Sequence, residues 1–182
     1  MKIIQTDLEG CFVIEPNTFE DERGTFFESF NQKVFLEKTG LNINFVQDNQ
    51  SISQKGVLRG LHLQRGEFAQ AKLTRVIKGR VFDVAVDLRK DSPTFGKHFS
   101  IELTSENNKQ LFIPKGFAHG FYVLEDNTIF AYKCDNYYNK ESEFGVIYND
   151  KELNIDWKLG KKKIIISEKD NKLKRFKEYF KI

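Results

Sequence analysis

The sequence predicts a mainly β chain, a jelly-roll barrel with a β-rich N-terminal extension and a short helical C-terminal tail, and three observations carry that expectation. The middle of the chain alternates apolar and polar residues in short runs, the period of a half-buried strand. Turn signals separate the runs at the spacing of an antiparallel sandwich or barrel. The 182 residues hold 18 Phe against one Met and three Pro, a composition suited to aromatic and β-branched packing on pleated surfaces. A chain of this length buries most of its apolar surface in one core, so residues 1–182 are expected to form a single domain.

Taken in order, the first clear element is helical, Asn31 to Lys38, ending ahead of Gly40. Strands are expected over Lys72–Ile77, Arg80–Leu88, His98–Leu103, Gln110–Ile113, Phe121–Leu124 and Ile129–Cys134. Between them stand Lys78-Gly79, Asp91-Ser92-Pro93, Ser105 to Asn108, Pro114-Lys115-Gly116 and Glu125-Asp126-Asn127, each rich in turn formers. The last element is a helix from Lys172 to Phe180, amphipathic through Leu173, Phe176 and Phe180.

Lys and Arg number 29 against 26 Asp and Glu, and the surplus bunches between Lys158 and Lys181, as in Lys161-Lys162-Lys163. A nucleic-acid binder stripes its cations along a recognition face, so this bunching reads as a solvated tail and no nucleic-acid partner is expected. Cys11 and Cys134 stand far apart in apolar segments without a CxxC pair, and are expected as buried free thiols. The N-terminus has no apolar leader, and no stretch approaches the roughly 20 apolar residues of a membrane span, so a soluble cytoplasmic protein is expected.

Histidine titrates nearest neutral pH, which makes His62, His98 and His119 the place to look for chemistry. His62 occurs in Gly56-Val57-Leu58-Arg59-Gly60-Leu61-His62-Leu63-Gln64 and His119 in Pro114-Lys115-Gly116-Phe117-Ala118-His119-Gly120, and these two segments resemble the paired motifs of cupins. Metal-binding cupins carry His-x-His in the first motif. Here the second position is Gln64, and His62, Gln64 and His119 match no preferred divalent-metal ligand set, so no metal is expected. An isolated histidine is most simply a satisfied core residue. Strand alternation, however, turns Leu61 and Leu63 one way and Gly60, His62 and Gln64 the other. Asp83 and Asp87 share one face of their strand, and because inward charges are costly unless paired, Asp87 and Arg75 are expected on the solvent face.

The whole pattern resembles the dTDP-4-dehydrorhamnose 3,5-epimerases of the rhamnose pathway. The resemblance is carried by Asp21 to Glu28, Gln47 to Ser51, Leu58 to Gln64, Phe82 to Arg89, Ser92 to Gly96, Ile113 to Phe121, Tyr132-Lys133-Cys134, Tyr137-Tyr138, Asn149-Asp150 and Ser167 to Asp170, in order through nearly the entire chain. It implies a cupin-type homodimer, free of metal and nucleotide cofactor, that converts dTDP-4-dehydro-6-deoxy-D-glucose to dTDP-4-dehydro-L-rhamnose. By the same resemblance His62 is the general base, Asp170 orients it, Tyr132 is the acid on the opposite face of the sugar, and Lys72 stabilises the developing oxyanion. Substrate contacts implied by position are Arg23, Glu28, Gln47, Asn49, Arg59, His119, Tyr138, Glu143 and Lys169. Arg23, Arg59 and Lys169 suit diphosphate oxygens, and Tyr138 a stacked thymine. An epimerase acting at C3 or C5 alone, a ketoisomerase, and a non-catalytic sugar-nucleotide-binding cupin share these motifs and remain alternatives.

Overall fold

In the computed structural model, which describes residues 1–160 and 163–180, the chain opens with two strands, β1 (Lys2–Gln5) and β2 (Phe12–Glu15). A short hairpin, β3 (Phe19–Asp21) and β4 (Gly24–Phe26), precedes helix α1 (Gln32–Thr39). Then come β5 (Gln47–Ser53), β6 (Leu58–Gln64), β7 (Lys72–Lys78), β8 (Arg80–Asp87), β9 (His98–Thr104) and β10 (Gln110–Ile113). The last strands are β11 (Phe117–Val123), β12 (Thr128–Cys134) and β13 (Glu143–Gly145), followed by helices α2 (Glu168–Asn171) and α3 (Phe176–Phe180).

One sheet runs β1-β2-β10-β7-β12-β5 and the other β13-β6-β11-β8-β9, every ladder antiparallel, with β3–β4 standing apart as a two-stranded ribbon. The inner faces of both sheets meet in one cluster, Val13, Val76, Leu111 and Phe130 from the first against Val81, Ala85, Leu103 and Phe121 from the second. This is the jelly-roll barrel that alternation predicts. Strand β8 is buried on both faces because Val84 and Val86 point outward beneath a second apolar layer that includes Trp157 and Phe176. Helix α1 closes the far side, seating Phe35 on Phe12 and Phe112. It starts where Asn31 Oδ1 accepts from the Val34 N–H and stops at Gly40, whose φ of 72° suits a residue without Cβ.

Three expectations are corrected. The C-terminal helix is not continuous from Lys172 to Phe180: Ser167 caps a four-residue α2, and the chain then turns toward the barrel, where Ile147 N–H donates to the Lys174 carbonyl and Asp150 accepts from Phe176 N–H. Those tertiary bonds outcompete helix propensity between Lys172 and Arg175. The strand expected over Phe121–Leu124 begins at Phe117, directly after the Pro114-Lys115-Gly116 turn, and so includes His119. Asp87 is fully buried instead of solvent-facing, because the loop after β8 folds back to supply donors: Arg89 binds it through two nitrogens, and Ser92 and Thr94 donate their hydroxyls. Burial opposes its charge, yet these bonds hold its carboxyl below the usual range.

Arg75 lies half-exposed on the outer face of its sheet, and Cys11 and Cys134 are buried free thiols. Lys163, Lys172, Lys174 and Lys177 of the basic tail are exposed, while Lys161, Lys162 and Lys181 lie outside the described residues. No helix among the described residues is long and apolar enough to cross a membrane.

Candidate active site

A cavity of about 610 Å³ opens between the two sheets. Strand β6 places Arg59 and His62 in it, β11 His119, β7 Lys72, β12 Tyr132 and β5 Asn49, while α2 brings Asp170. Strict alternation would turn Arg59 away with Leu61, since the two positions from His62 to Gly60 complete one period. The β6–β11 ladder instead shifts register: His119 pairs with His62, but Phe121 pairs with Arg59. The extra residue is a bulge, and it puts Arg59 and His62 on one face. Glycines permit the approach, for a Cβ on Gly60 would stand 2.5 Å from the Gly120 Cα.

His62 Nε2 lies 2.8 Å from Asp170 Oδ1, and the other carboxylate oxygen accepts from the Gly60 N–H at 3.1 Å. Burial works against the Asp170 charge, but the bonds from His62 and Gly60 hold its carboxyl below the usual range. The segment carrying Asp170 is itself tied to the start of β6, where Leu58 N–H donates to the Ile165 carbonyl and Ile165 N–H to that of Gly56, both at 2.9 Å. Across the cavity, burial pushes the Tyr132 phenol up to about 12, so at neutral pH it carries its proton. Lys72 is only 9 % exposed. Burial pushes its ammonium down, opposed by Cys134, Asp83 and Glu143, and its Nζ sits 5.8 Å from the Tyr132 ring centroid. His119 pairs through Nε2 with Asp83 Oδ1 at 2.6 Å, and its ring centroid is 6.3 Å from that of Tyr132.

A recess of about 240 Å³ adjoins at His62, lined in part by Glu143 and Lys169. Glu143 accepts from Tyr138 Oη and pairs with Lys169, and these bonds hold its carboxyl low in spite of burial. Gln47 joins the two spaces: its amide donates to Asn49 Oδ1 and its carbonyl accepts from the Tyr138 N–H. Gln64 is spent on backbone bonds to Phe68, Tyr137 and Asn139, and among the described residues no three His, Cys, Asp or Glu side chains are placed to hold a metal ion.

Thus His62, Asp170, Lys72, Tyr132, Asn49, Arg59 and His119 share the cavity, and Gln47, Tyr138, Glu143 and Lys169 cluster beside it. Two expected contacts do not arrive. Arg23 sits at the exposed β3–β4 turn bound to Asp21, and Glu28 lies by α1, where it accepts from Asn31 Nδ2. Asp83 and Thr74, which support His119 from behind, were not among the candidate residues, because Asp83 shares a strand face with Asp87, which was expected to face solvent.

The family described as dTDP-4-dehydrorhamnose 3,5-epimerase matches residues 5–178. A dTDP-4-dehydrorhamnose 3,5-epimerase of Shigella flexneri is 53 % identical over 170 residues, covering 93 % of each chain. The crystal structure of one from Elizabethkingia anophelis NUHP1 superposes with a TM-score of 0.94 at 57 % identity, covering 98 % of this chain and 97 % of that one. A dTDP-6-deoxy-D-glucose-3,5-epimerase from Legionella pneumophila Philadelphia 1, solved in complex with dTDP-4-keto-L-rhamnose, gives 0.92 at 52 %, covering 96 % and 92 %. With its mainly β, cupin-type barrel and a match along almost its whole length, the chain belongs to the dTDP-4-dehydrorhamnose 3,5-epimerase family.

Proposed function

We propose that this chain inverts C3 and C5 of dTDP-4-dehydro-6-deoxy-D-glucose to give dTDP-4-dehydro-L-rhamnose, by removing and returning protons beside the 4-keto group. The observation that carries the reading is the placement of His62 with Asp170 on one sheet side of the cavity and the protonated Tyr132 on the facing sheet. The free ring nitrogen of His62 takes the proton from a carbon next to the ketone, and the C–H electron pair moves onto the ketone oxygen as an enolate. The Lys72 ammonium offsets that charge in a water-poor site. Tyr132 then donates its proton to the opposite face of the flat enolate, which inverts the centre. Loss of the proton from His62 to water and regain of one by Tyr132 reset the pair for the second carbon.

Arg59 is suited to the diphosphate and Tyr138, with its exposed ring, to the base. The protein works as a cytoplasmic, single-domain homodimer in this reading. Two buried free thiols fit a reducing compartment. The hairpin exposes Phe19 at 64 % and Phe26 at 69 %, a surface that a second copy would cover, and docking there offers Arg23 and Glu28 to the partner's cavity.

The test is solvent-deuterium incorporation into dTDP-4-dehydro-6-deoxy-D-glucose followed by NMR. Label at both C3 and C5 with inverted product is expected. Label at one carbon alone reassigns the chain as a mono-epimerase, and none, with dTDP still bound, leaves a binding module.

A further inference from the structure

A second histidine of the cavity, His119, is paired with a carboxylate buried behind it, and its role follows from what that carboxylate can do. Asp83 is completely buried, with one oxygen on His119 Nε2 and the other accepting from Thr74 Oγ1 at 2.7 Å. An ionised carboxylate only accepts, so the ring nitrogen it touches carries the hydrogen. Burial pushes the His119 pKa down against the pull of Asp83, and nearby Lys72 and His62 push the same way, so the ring is neutral. A neutral imidazole with its hydrogen on Nε2 has a lone pair on Nδ1, and among the described residues nothing donates to it. The side chain lines the cavity, and on β11 it is the register partner of His62. A ligand therefore meets an acceptor at this spot, which repels a ketone or enolate oxygen and welcomes a hydroxyl.

We propose that Asp83 and Thr74 are positioning residues that hold His119 as a hydroxyl acceptor, through which the cavity reads a hydroxyl of the sugar ring close to the carbon that His62 deprotonates. The inference rests on the epimerase reading for its ligand, and it divides the polar work: Lys72 meets the oxygen that becomes negative, and His119 meets one that keeps its hydrogen. Neither Asp83 nor Thr74 touches the ligand.

Asp83→Asn tests this with little change of shape. Thr74 Oγ1 lies 2.7 Å from the Asp83 carboxylate against 3.3 Å from the Leu111 carbonyl, so it keeps the shorter bond by donating to the amide oxygen; the amide NH2 then faces His119, Nε2 must accept, and the hydrogen moves to Nδ1. The cavity then presents a donor in place of an acceptor. The experiment measures Kd, KM and kcat of the wild type and Asp83→Asn with dTDP-4-dehydro-6-deoxy-D-glucose and with its 2-deoxy and 3-deoxy analogues.

In the wild type one of the two analogues is expected to bind about tenfold more weakly, the value of one good hydrogen bond. In Asp83→Asn the parent ligand loses about the same factor in Kd, that analogue loses nothing further, and dTDP affinity and melting temperature stay within error of the wild type. The proposal is overturned if neither analogue is discriminated by the wild type in Kd, if the Kd factors for ligand and variant simply multiply, or if the variant leaves the Kd of the parent ligand unchanged, whatever it does to kcat. Should Asp83→Asn fail to fold, Thr74→Val carries the same cycle, with about threefold non-additivity expected and simple multiplication overturning the claim. Because the cycle is read in Kd, a wild type that incorporates no deuterium sinks the epimerase reading while leaving this one decidable.

Discussion

The two carboxylates that meet histidines in the cavity are supported in opposite ways. Asp83 projects from the middle of β8, flanked by paired strands on both sides, and with His119 it is nearly sealed, at 0 % and 5 % side-chain exposure. Asp170 comes from a four-residue helix on the C-terminal segment, and its partner His62 remains 29 % exposed. The difference fits the two jobs proposed for the pairs. A group that must exchange protons with water needs an opening, while one that only fixes a ring orientation is better sealed.

The largest effect expected from breaking this comparison is chemical. His62→Asn is expected to lower kcat by about 10³-fold or more and to abolish deuterium incorporation, since a positioned base is worth roughly 10²–10⁴. Tyr132→Phe, on the other sheet, is expected to retain incorporation into recovered substrate while losing inverted product. Equal loss of both in Tyr132→Phe, with dTDP binding intact, would show that the phenol takes part in deprotonation.

Stability orders the two carboxylates the other way. Asp83→Ala leaves the His119 N–H buried without an acceptor and the Thr74 hydroxyl with only the longer reach to the Leu111 carbonyl, an expected loss of about 2–3 kcal/mol in urea unfolding. Asp170→Ala is expected to cost about 1 kcal/mol, since water reaches its partner and the segment can relax, yet to reduce kcat far more than Asp83→Ala does. Equal destabilisation by the two would remove the distinction between sealed and tail-borne support.

A smaller effect is expected with pH. Burial lowers the pKa of both His119 and His98 below the ordinary 6.5. As pH falls through 6.5 the unfolded chain binds these protons first, so stability is expected to decline below that point until the folded histidines protonate too. At pH 7.5 neither contributes. Urea midpoints at pH 7.5 and 5.5 check the sign, and His98→Asn is expected to remove part of the slope. Smallest of all, Ser167→Ala removes the α2 cap, an expected cost of about 1 kcal/mol or less that loosens Asp170 and lowers kcat a few-fold.

What the sequence disclosed follows the same division. Strands β7 to β10 and β12 were legible within a residue or two because they are packed on apolar neighbours and alternate accordingly. Strand β5 gave no such pattern, since Gln47, Asn49 and Ser51 turn inward as polar groups of the site, while Asp48 and Gln50 face outward and the one apolar residue, Ile52, is exposed. Asp87 was placed on the wrong side because the donors that make its burial tolerable lie in the following loop, which periodicity does not describe. The break between α2 and α3 depends on Asp150, more than twenty residues away. The pairing of Asp170 with His62 spans 108 positions, and only family resemblance could suggest it. Resemblance also named Arg23 and Glu28, which the structure places outside the cavity.

The bulge in β6 turns a residue count into a ruler. A regular strand repeats its facing every two residues, so the charge that holds the diphosphate and the nitrogen that takes the proton in the proposed mechanism would be separated by two residues or four. Here they are three apart. Deleting one residue between Arg59 and His62 could leave both strands paired and the barrel closed, yet it would rotate the guanidinium into the layer occupied by Leu58 and Leu61. The reach from anchor to base is thus written in the number of peptide units between them, and a chain one unit shorter would fold around a cavity that can no longer grip and react at once.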